Sequence, residues 1–148
     1  MQNLVKMIKA NDPNRKSWIE VSKVSDFPIQ NIPFGVFKKS DNSTCVGTRI
    51  GDTAIDLNAL QSLNYFEGIT LNSNIFNQET LNAFLKLNKS TWRAVRDRIA
   101  EIFDANNTMN EAHKALILLP INEVEMVMPV QVGDYTDFYS SRQHAHNV

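Results

Sequence analysis

Apolar and polar positions change rhythm twice along this chain, and each change predicts a different kind of element. Ser17 to Val21 (SWIEV) has the aromatic and β-branched content of a strand. Pro28, Pro33 and Gly35 then make SDFPIQNIPFG a loop. Short strands are predicted at Phe34–Phe37, Cys45–Ile50 and Ala54–Leu57, separated by the polar SDNST and by a Gly51-Asp52 turn. This half reads as a small antiparallel sheet or barrel.

From Leu57 the period lengthens. Leu57, Leu60, Gln61 and Leu63 predict one or two helical turns before Gly68. Asn77 is placed to cap a helix over Gln78–Leu87, whose apolar stripe is Leu81, Phe84, Leu85 and Leu87. Ser90 is placed to cap the next, in which Trp92, Val95, Ile99, Ile102 and Phe103 recur at three- and four-residue spacing until Asn106-Asn107. A third helix is predicted over Asn110–Leu119, stopping at Pro120. Glu123–Val132 (EVEMVMPVQV) then alternates as a strand interrupted at Pro129, and the stretch around Leu119–Pro129 is the expected linker. No internal repeat and no low-complexity segment appears.

At 148 residues, with 43% hydrophobic and 21% charged residues, the chain has the make-up of one globular unit with extensions. Its formal net charge of -1, and the mixing of Arg93, Arg96 and Arg98 with Asp97 and Glu101, argue against nucleic acid or an anionic membrane as the main partner. Cys45 is the single cysteine; lying in a predicted strand with no His beside it, it reads as buried and inert, and its solitude fits a reducing cytosol. The start, MQNLVKMIKANDPNRK, is too polar for a secretory signal; its Lys content and lack of acids before Asp12 leave a weak organellar-transit reading open, and the preferred reading is a short frayed extension over residues 1–16. No stretch reaches the ~20 apolar residues that a membrane span needs.

The chemistry is concentrated in Asp134 to Val148, DYTDFYSSRQHAHNV. If this segment is helical from about Asp137, residues seven apart share a face, and Asp137 and His144 align two turns, or ~10 Å, apart. Asp137, joined by other carboxylates, would suit a hard cation such as Ca²⁺ or Mg²⁺, and His144 could take a proton from water. The spacing is equally compatible with a polar surface. Elsewhere the dull readings hold: the stripe around Trp92 is core, His113 is solvated or capping, and the His144-Ala145-His146 pair is too sparse for zinc.

The segment GDYTDFYSSRQHAHNV resembles the motif at which the catalytic domain of the fumarylacetoacetase family begins. SDFPIQNIPFGVF is similar to that family's N-terminal signature, and VGTRIGDTAIDLNAL resembles the strand, Gly-Asp turn and Asp-Leu strand end that follow it. ETLNAFLKLNKSTWRAVRDRI matches the family's helical pattern more loosely. The resemblance runs from about Trp18 to Val148, and the residues before Ser17 match nothing in it.

The resemblance implies an α+β fold: a small SH3-like β-barrel with helices over residues 17–128, then the beginning of a β-rich catalytic domain over 129–148, cut short at Val148. It also implies hydrolysis of a carbon–carbon bond in fumarylacetoacetate, yielding fumarate and acetoacetate in tyrosine and phenylalanine breakdown, by a cytosolic homodimer. Transferred onto the motif, Asp137 is a ligand of Ca²⁺ or Mg²⁺, Tyr139 touches substrate through its hydroxyl, and His144 is the general base. Arg142 and Gln143 are supporting members of the motif. With the other metal carboxylates absent, this stretch alone is expected to be inactive. The alternative is a stand-alone, noncatalytic SH3-like interaction module.

Overall fold

A computed structural model describes residues 8–148. Strands β1 (Gly35–Lys38), β2 (Thr44–Ile50) and β3 (Thr53–Asp56) form an antiparallel meander, as the sequence pattern predicts. Its turns follow local chemistry. Asn42 and Gly51 both take positive φ, and at Gly51 a Cβ would also stand 2.5 Å from the Glu20 carbonyl oxygen. The strand-to-helix junction is equally local: the Asp56 carboxylate accepts from the Ala59 N–H at 2.9 Å and caps α1 (Leu57–Ser62).

The second half departs from local expectation. Only one turn, α2 (Asn82–Leu85), forms within the predicted 78–87 helix. Asn72, Asn74 and Asn77 favour turns, and backbone bonds such as Ile75 N–H to the Asn72 carbonyl take the place of a helix there. The long helix α3 (Lys89–Ile102) is capped by Asn88 rather than Ser90, with Asn88 Oδ1 accepting from the Thr91 N–H at 2.9 Å. Asn110 caps α4 (Glu111–Ile117), which ends early because the next residues become strand β4 (Leu118–Pro120), paired with β3. The predicted 123–132 strand is reduced to β5 (Glu125–Val127), paired with β1. The expected strand at Ser17–Val21 is absent. Its place is taken by one bridge, Ser17 to Asp104, and by the Trp18 indole donating to the Ile102 carbonyl at the end of α3.

The five strands are ordered β4-β3-β2-β1-β5, so β4 and β5 are the two edges although only residues 121–124 join them. A flat five-stranded sheet would set its edges ~19 Å apart. The linking chain reaches at most ~18 Å, and less because Ile121–Glu123 form a 3-10 turn. The sheet therefore curls, bringing its edges towards each other. Burial follows the pleat: Val36, Val46, Ile55, Leu118 and Val127 face the main core, where Phe76, Phe84, Ile99, Phe103 and Ile117 also lie. Phe37, Cys45, Ala54 and Leu119 face the opposite way and form a second small core with Ile121 and Val124 inside the curl. The α+β class expected from sequence is thus met, with an open, curled sheet; β4 and β5 are not bonded to each other.

Of the extension expected over 1–16, residues 1–7 lie outside the described residues. Residues 8–16 do not fray: Ala10 is fully buried, its N–H donates to Asp97 Oδ1 at 2.8 Å, and Arg15 pairs with Asp104 at 3.0 Å.

Candidate functional site

The terminal segment leaves the folded body at a defined point. The Pro129 carbonyl accepts from the Leu81 N–H at 2.8 Å, and Gln131 is held by the Asn82 side chain. Beyond it, every residue from 131 to 148 is exposed. A short helix, α5 (Arg142–Asn147), closes the chain, with Ser141 Oγ accepting from the His144 N–H.

This differs from a helix running from Asp137. Asp137 lies five residues before α5 in a stretch without regular structure, so the face shared by positions seven apart is not formed. Tyr139 and His144 are brought together, with ring centroids 5.4 Å apart and planes at 53°. Arg142, Gln143 and His144 all lie on α5, and their side chains are open to solvent. Among the described residues no group of three or more His, Cys, Asp or Glu is arranged to hold a metal ion. The segment therefore carries chemically capable side chains, two of them in contact, without an enclosing cavity.

The enclosed features lie elsewhere. An apolar groove of about 190 Å³ opens on the curled sheet, lined by Phe27, Phe34, Gly35, Phe37, Gly47 and Met126 among others. Its wall is fixed by two contacts: Thr48 Oγ1 donates to the Pro33 carbonyl at 2.6 Å, and the Arg49 guanidinium lies 3.9 Å over the Phe27 ring. The sequence reading missed this groove; the available signal was the pair Gly35 and Gly47, whose lack of Cβ leaves the space beside Phe37 and Met126.

A polar cluster sits at one end of the sheet. Lys39 Nζ donates to Asp56 Oδ2 at 2.6 Å while Asp56 also caps α1. Burial pulls the Lys39 pKa down, but the hydrogen bond and charge of Asp56 outweigh this and hold it above the usual lysine value. Burial, together with the neighbouring Asp56 carboxylate, pushes the Cys45 thiol well above its ordinary range. Cys45 is thus an inert, buried thiol, as its strand position suggested. His113 is half-buried, and instead of capping the helix its Nδ1 shares a 2.8 Å hydrogen bond with the Tyr65 hydroxyl. Trp92 donates to the Phe84 carbonyl and packs on the core, in line with its expected structural role. No described helix is long and apolar enough to cross a membrane.

Comparison with known proteins places this arrangement. The family model described as Fumarylacetoacetase N-terminal matches residues 30–129. A Dictyostelium discoideum protein named fumarylacetoacetase is 42% identical over 137 residues, covering 90% of this chain and 32% of the relative. The protein of that name from Caenorhabditis elegans is 42% identical over 139 residues, covering 90% and 33%. The Homo sapiens protein is 36% identical over 137 residues, covering 89% and 32%. The chain therefore spans about a third of the length of the curated relatives it matches. With more than half of its residues matched by the family model, and a curled antiparallel sheet packed on helices beneath that match, the chain belongs to the fumarylacetoacetase N-terminal family.

Proposed function

We propose that this chain is the N-terminal third of a fumarylacetoacetase, acting on fumarylacetoacetate to release fumarate and acetoacetate in tyrosine and phenylalanine breakdown. The observation that carries this reading is the similarity, over nine-tenths of the chain, to proteins of that name. In the same reading the curled sheet is an SH3-like barrel, and residues 129–148 begin the catalytic domain. The full-length enzyme then works as a homodimer in the cytoplasm.

The terminal segment supplies part of the chemistry. His144 takes a proton from water as the water oxygen attacks a substrate carbonyl. The carbon–carbon bond of the tetrahedral centre then breaks, its electron pair passing into an enolate stabilised by the second carbonyl, and a proton returns to that carbon. Tyr139, whose ring centroid lies 5.4 Å from that of His144, presents its hydroxyl to substrate in this reading, and the nearness of the two rings supports a shared role. Asp137 has the right donor chemistry for Ca²⁺ or Mg²⁺, which prefer oxygen ligands. One exposed carboxylate is one ligand of several, so the residues present do not hold such an ion alone.

The test is hydrolysis by the full-length protein, followed by loss of fumarylacetoacetate absorbance. His144→Ala should lower turnover by roughly 10²–10⁴-fold with an unchanged circular dichroism spectrum. Near-native turnover would remove His144 from the role of base. Residues 1–148 alone should show no hydrolysis; activity there would overturn the assignment of the remaining machinery to the rest of the protein.

A further inference from the structure

The family match begins at residue 30, and residues 8–16 lie before it. These residues nonetheless touch two parts of the fold at once. On one side they bind α3. Asp97 accepts from the Ala10 N–H at 2.8 Å, and Arg15 Nη1 donates to the Ala100 carbonyl at 2.9 Å while pairing with Asp104. A guanidinium placed on a free carbonyl in the last turn of a helix also complements the helix dipole. Both Arg15 and Asp104 side chains are largely buried, at 15% and 21% exposure, so this pair is less screened than a surface bridge.

On the other side they bind the loop that precedes β1. The Gln30 side-chain amide donates to two carbonyls of the segment, Asp12 at 2.9 Å and Arg15 at 2.7 Å. Arg96 completes the connection from α3: it donates to the carbonyls of Gln30 and Ile32 and to Asn11 Oδ1. Gln30 and Arg96 therefore join the segment, the loop and α3 through five hydrogen bonds. The same loop forms a wall of the apolar groove through Phe27, Pro33 and Phe34.

We infer that residues 8–16 form a clasp that holds the 26–33 loop against α3 and thereby sets the wall of the apolar groove. The physical reason is that the loop has no strand partner of its own. Apart from the buried Ile29 and Ile32 and the Gly51 N–H that donates to the Phe27 carbonyl at 2.8 Å, its position depends on side-chain contacts, those of Thr48 and Arg49 at the groove and those of Gln30 and Arg96 at the clasp. Of the three residues that supply or receive the decisive bonds, Gln30 lies in a loop and Asn11 ends a single 3-10 turn (Lys9–Asn11), so loss of the clasp frees the loop without dismantling the sheet or α3.

Hydrogen exchange read by mass spectrometry on the 148-residue chain tests this, comparing the native chain with a variant lacking residues 1–16 and with Gln30→Leu. Exchange of amides in 26–34 should rise roughly tenfold or more in both variants, while β1–β3 and the centre of α3 keep their protection. Binding of the apolar dye ANS, used as a probe of the groove, should change in parallel. Unchanged loop exchange in Gln30→Leu would overturn the clasp. So would a uniform rise across all elements, which would make residues 8–16 a general contributor to stability. Should the deletion variant fail to fold, Gln30→Leu, which removes the bonds between loop and segment, and Asn11→Ala, which removes the bond from Arg96 to the segment, carry the test.

Discussion

Asn82 and Gln131 form a reciprocal pair: the Asn82 side chain donates to the Gln131 carbonyl and accepts from its N–H, both at 2.9 Å. A side-chain amide here does what a neighbouring strand would do, and it is the last bond to the folded body before the exposed segment with Asp137, Tyr139 and His144. Asn82→Asp keeps the acceptor and loses the donor, whereas Asn82→Ala loses both. Asn82→Ala should cost about 1 kcal/mol in urea unfolding, with Asn82→Asp between it and the native chain. Equal stabilities for all three would mean that the pair contributes nothing to anchoring the segment.

Asp56 joins three elements, as the last residue of β3, the cap of α1 and the partner of Lys39. Its exposure is only 3%, so removing it leaves a helix end uncapped and a half-buried ammonium without its carboxylate. Asp56→Ala is expected to cost about 2–4 kcal/mol. Asp56→Asn, which retains the cap oxygen, should cost less. Denaturant midpoints in the reverse order would argue against the capping role.

The alkaline behaviour follows from the same cluster. The folded pKa values of Cys45 and Lys39 both lie above their ordinary values of 9.0 and 10.5. A group raised on folding contributes stability that is complete below its unfolded pKa and is lost as pH rises towards its folded one. Stability should therefore be insensitive to these groups through neutrality and fall above about pH 9, where an unfolded thiol ionises. Cys45→Ala should remove the first part of that fall. Thermal unfolding from pH 7 to 11 reads the profile, and a native curve that stays level to pH 11 would refute it. In parallel, iodoacetamide at pH 9 should label the thiol only after denaturant is added.

Gly47 faces Phe37 across the β1–β2 pair with no room for a side chain. A Cβ there would stand 2.3 Å from Phe37 Cε1 and 2.6 Å from the Ile55 carbonyl oxygen. Phe37 can tilt, but the carbonyl belongs to the ladder and cannot. Gly47→Ala should destabilise by about 1–3 kcal/mol, and adding Phe37→Leu should restore only part of it. Full restoration would place the whole clash on the ring.

Metal binding by the 148-residue chain should be weak. With Asp137 exposed and no three-residue ligand group among the described residues, calorimetry with Ca²⁺ should give a Kd no tighter than roughly millimolar, and Asp137→Ala should not alter the fold. Micromolar binding would reveal a site that the arrangement of these residues does not contain.

Where the controlling interaction is local, the sequence and the structure agree. The β1–β3 meander, its Gly51 turn and the Asp56-capped helix depend on contacts between near neighbours, on alternation and on side chains bonding to adjacent backbone. Asn110 was legible as a helix start for the same reason. The chemical content of the terminal segment was legible as composition, and the Tyr139–His144 contact spans only five residues.

What needed tertiary structure was every choice in which distant parts of the chain compete for the same residues. Leu118 and Leu119 continue the helical pattern of α4, yet β3 offers an unpaired edge and turns them, with Pro120, into a strand. Ser17–Val21 have strand composition, but the end of α3 takes the Trp18 indole and no strand lies alongside. The clasp of residues 8–16 and the groove beside Gly47 arise from side chains separated by tens of residues. Sequence alone determined the local rhythm, the inert place of Cys45 and the residue types of the terminal motif. Tertiary structure decided the curl of the sheet, the edge pairings and the open position of that motif, because these depend on which surfaces are near enough to share backbone bonds and exclude water.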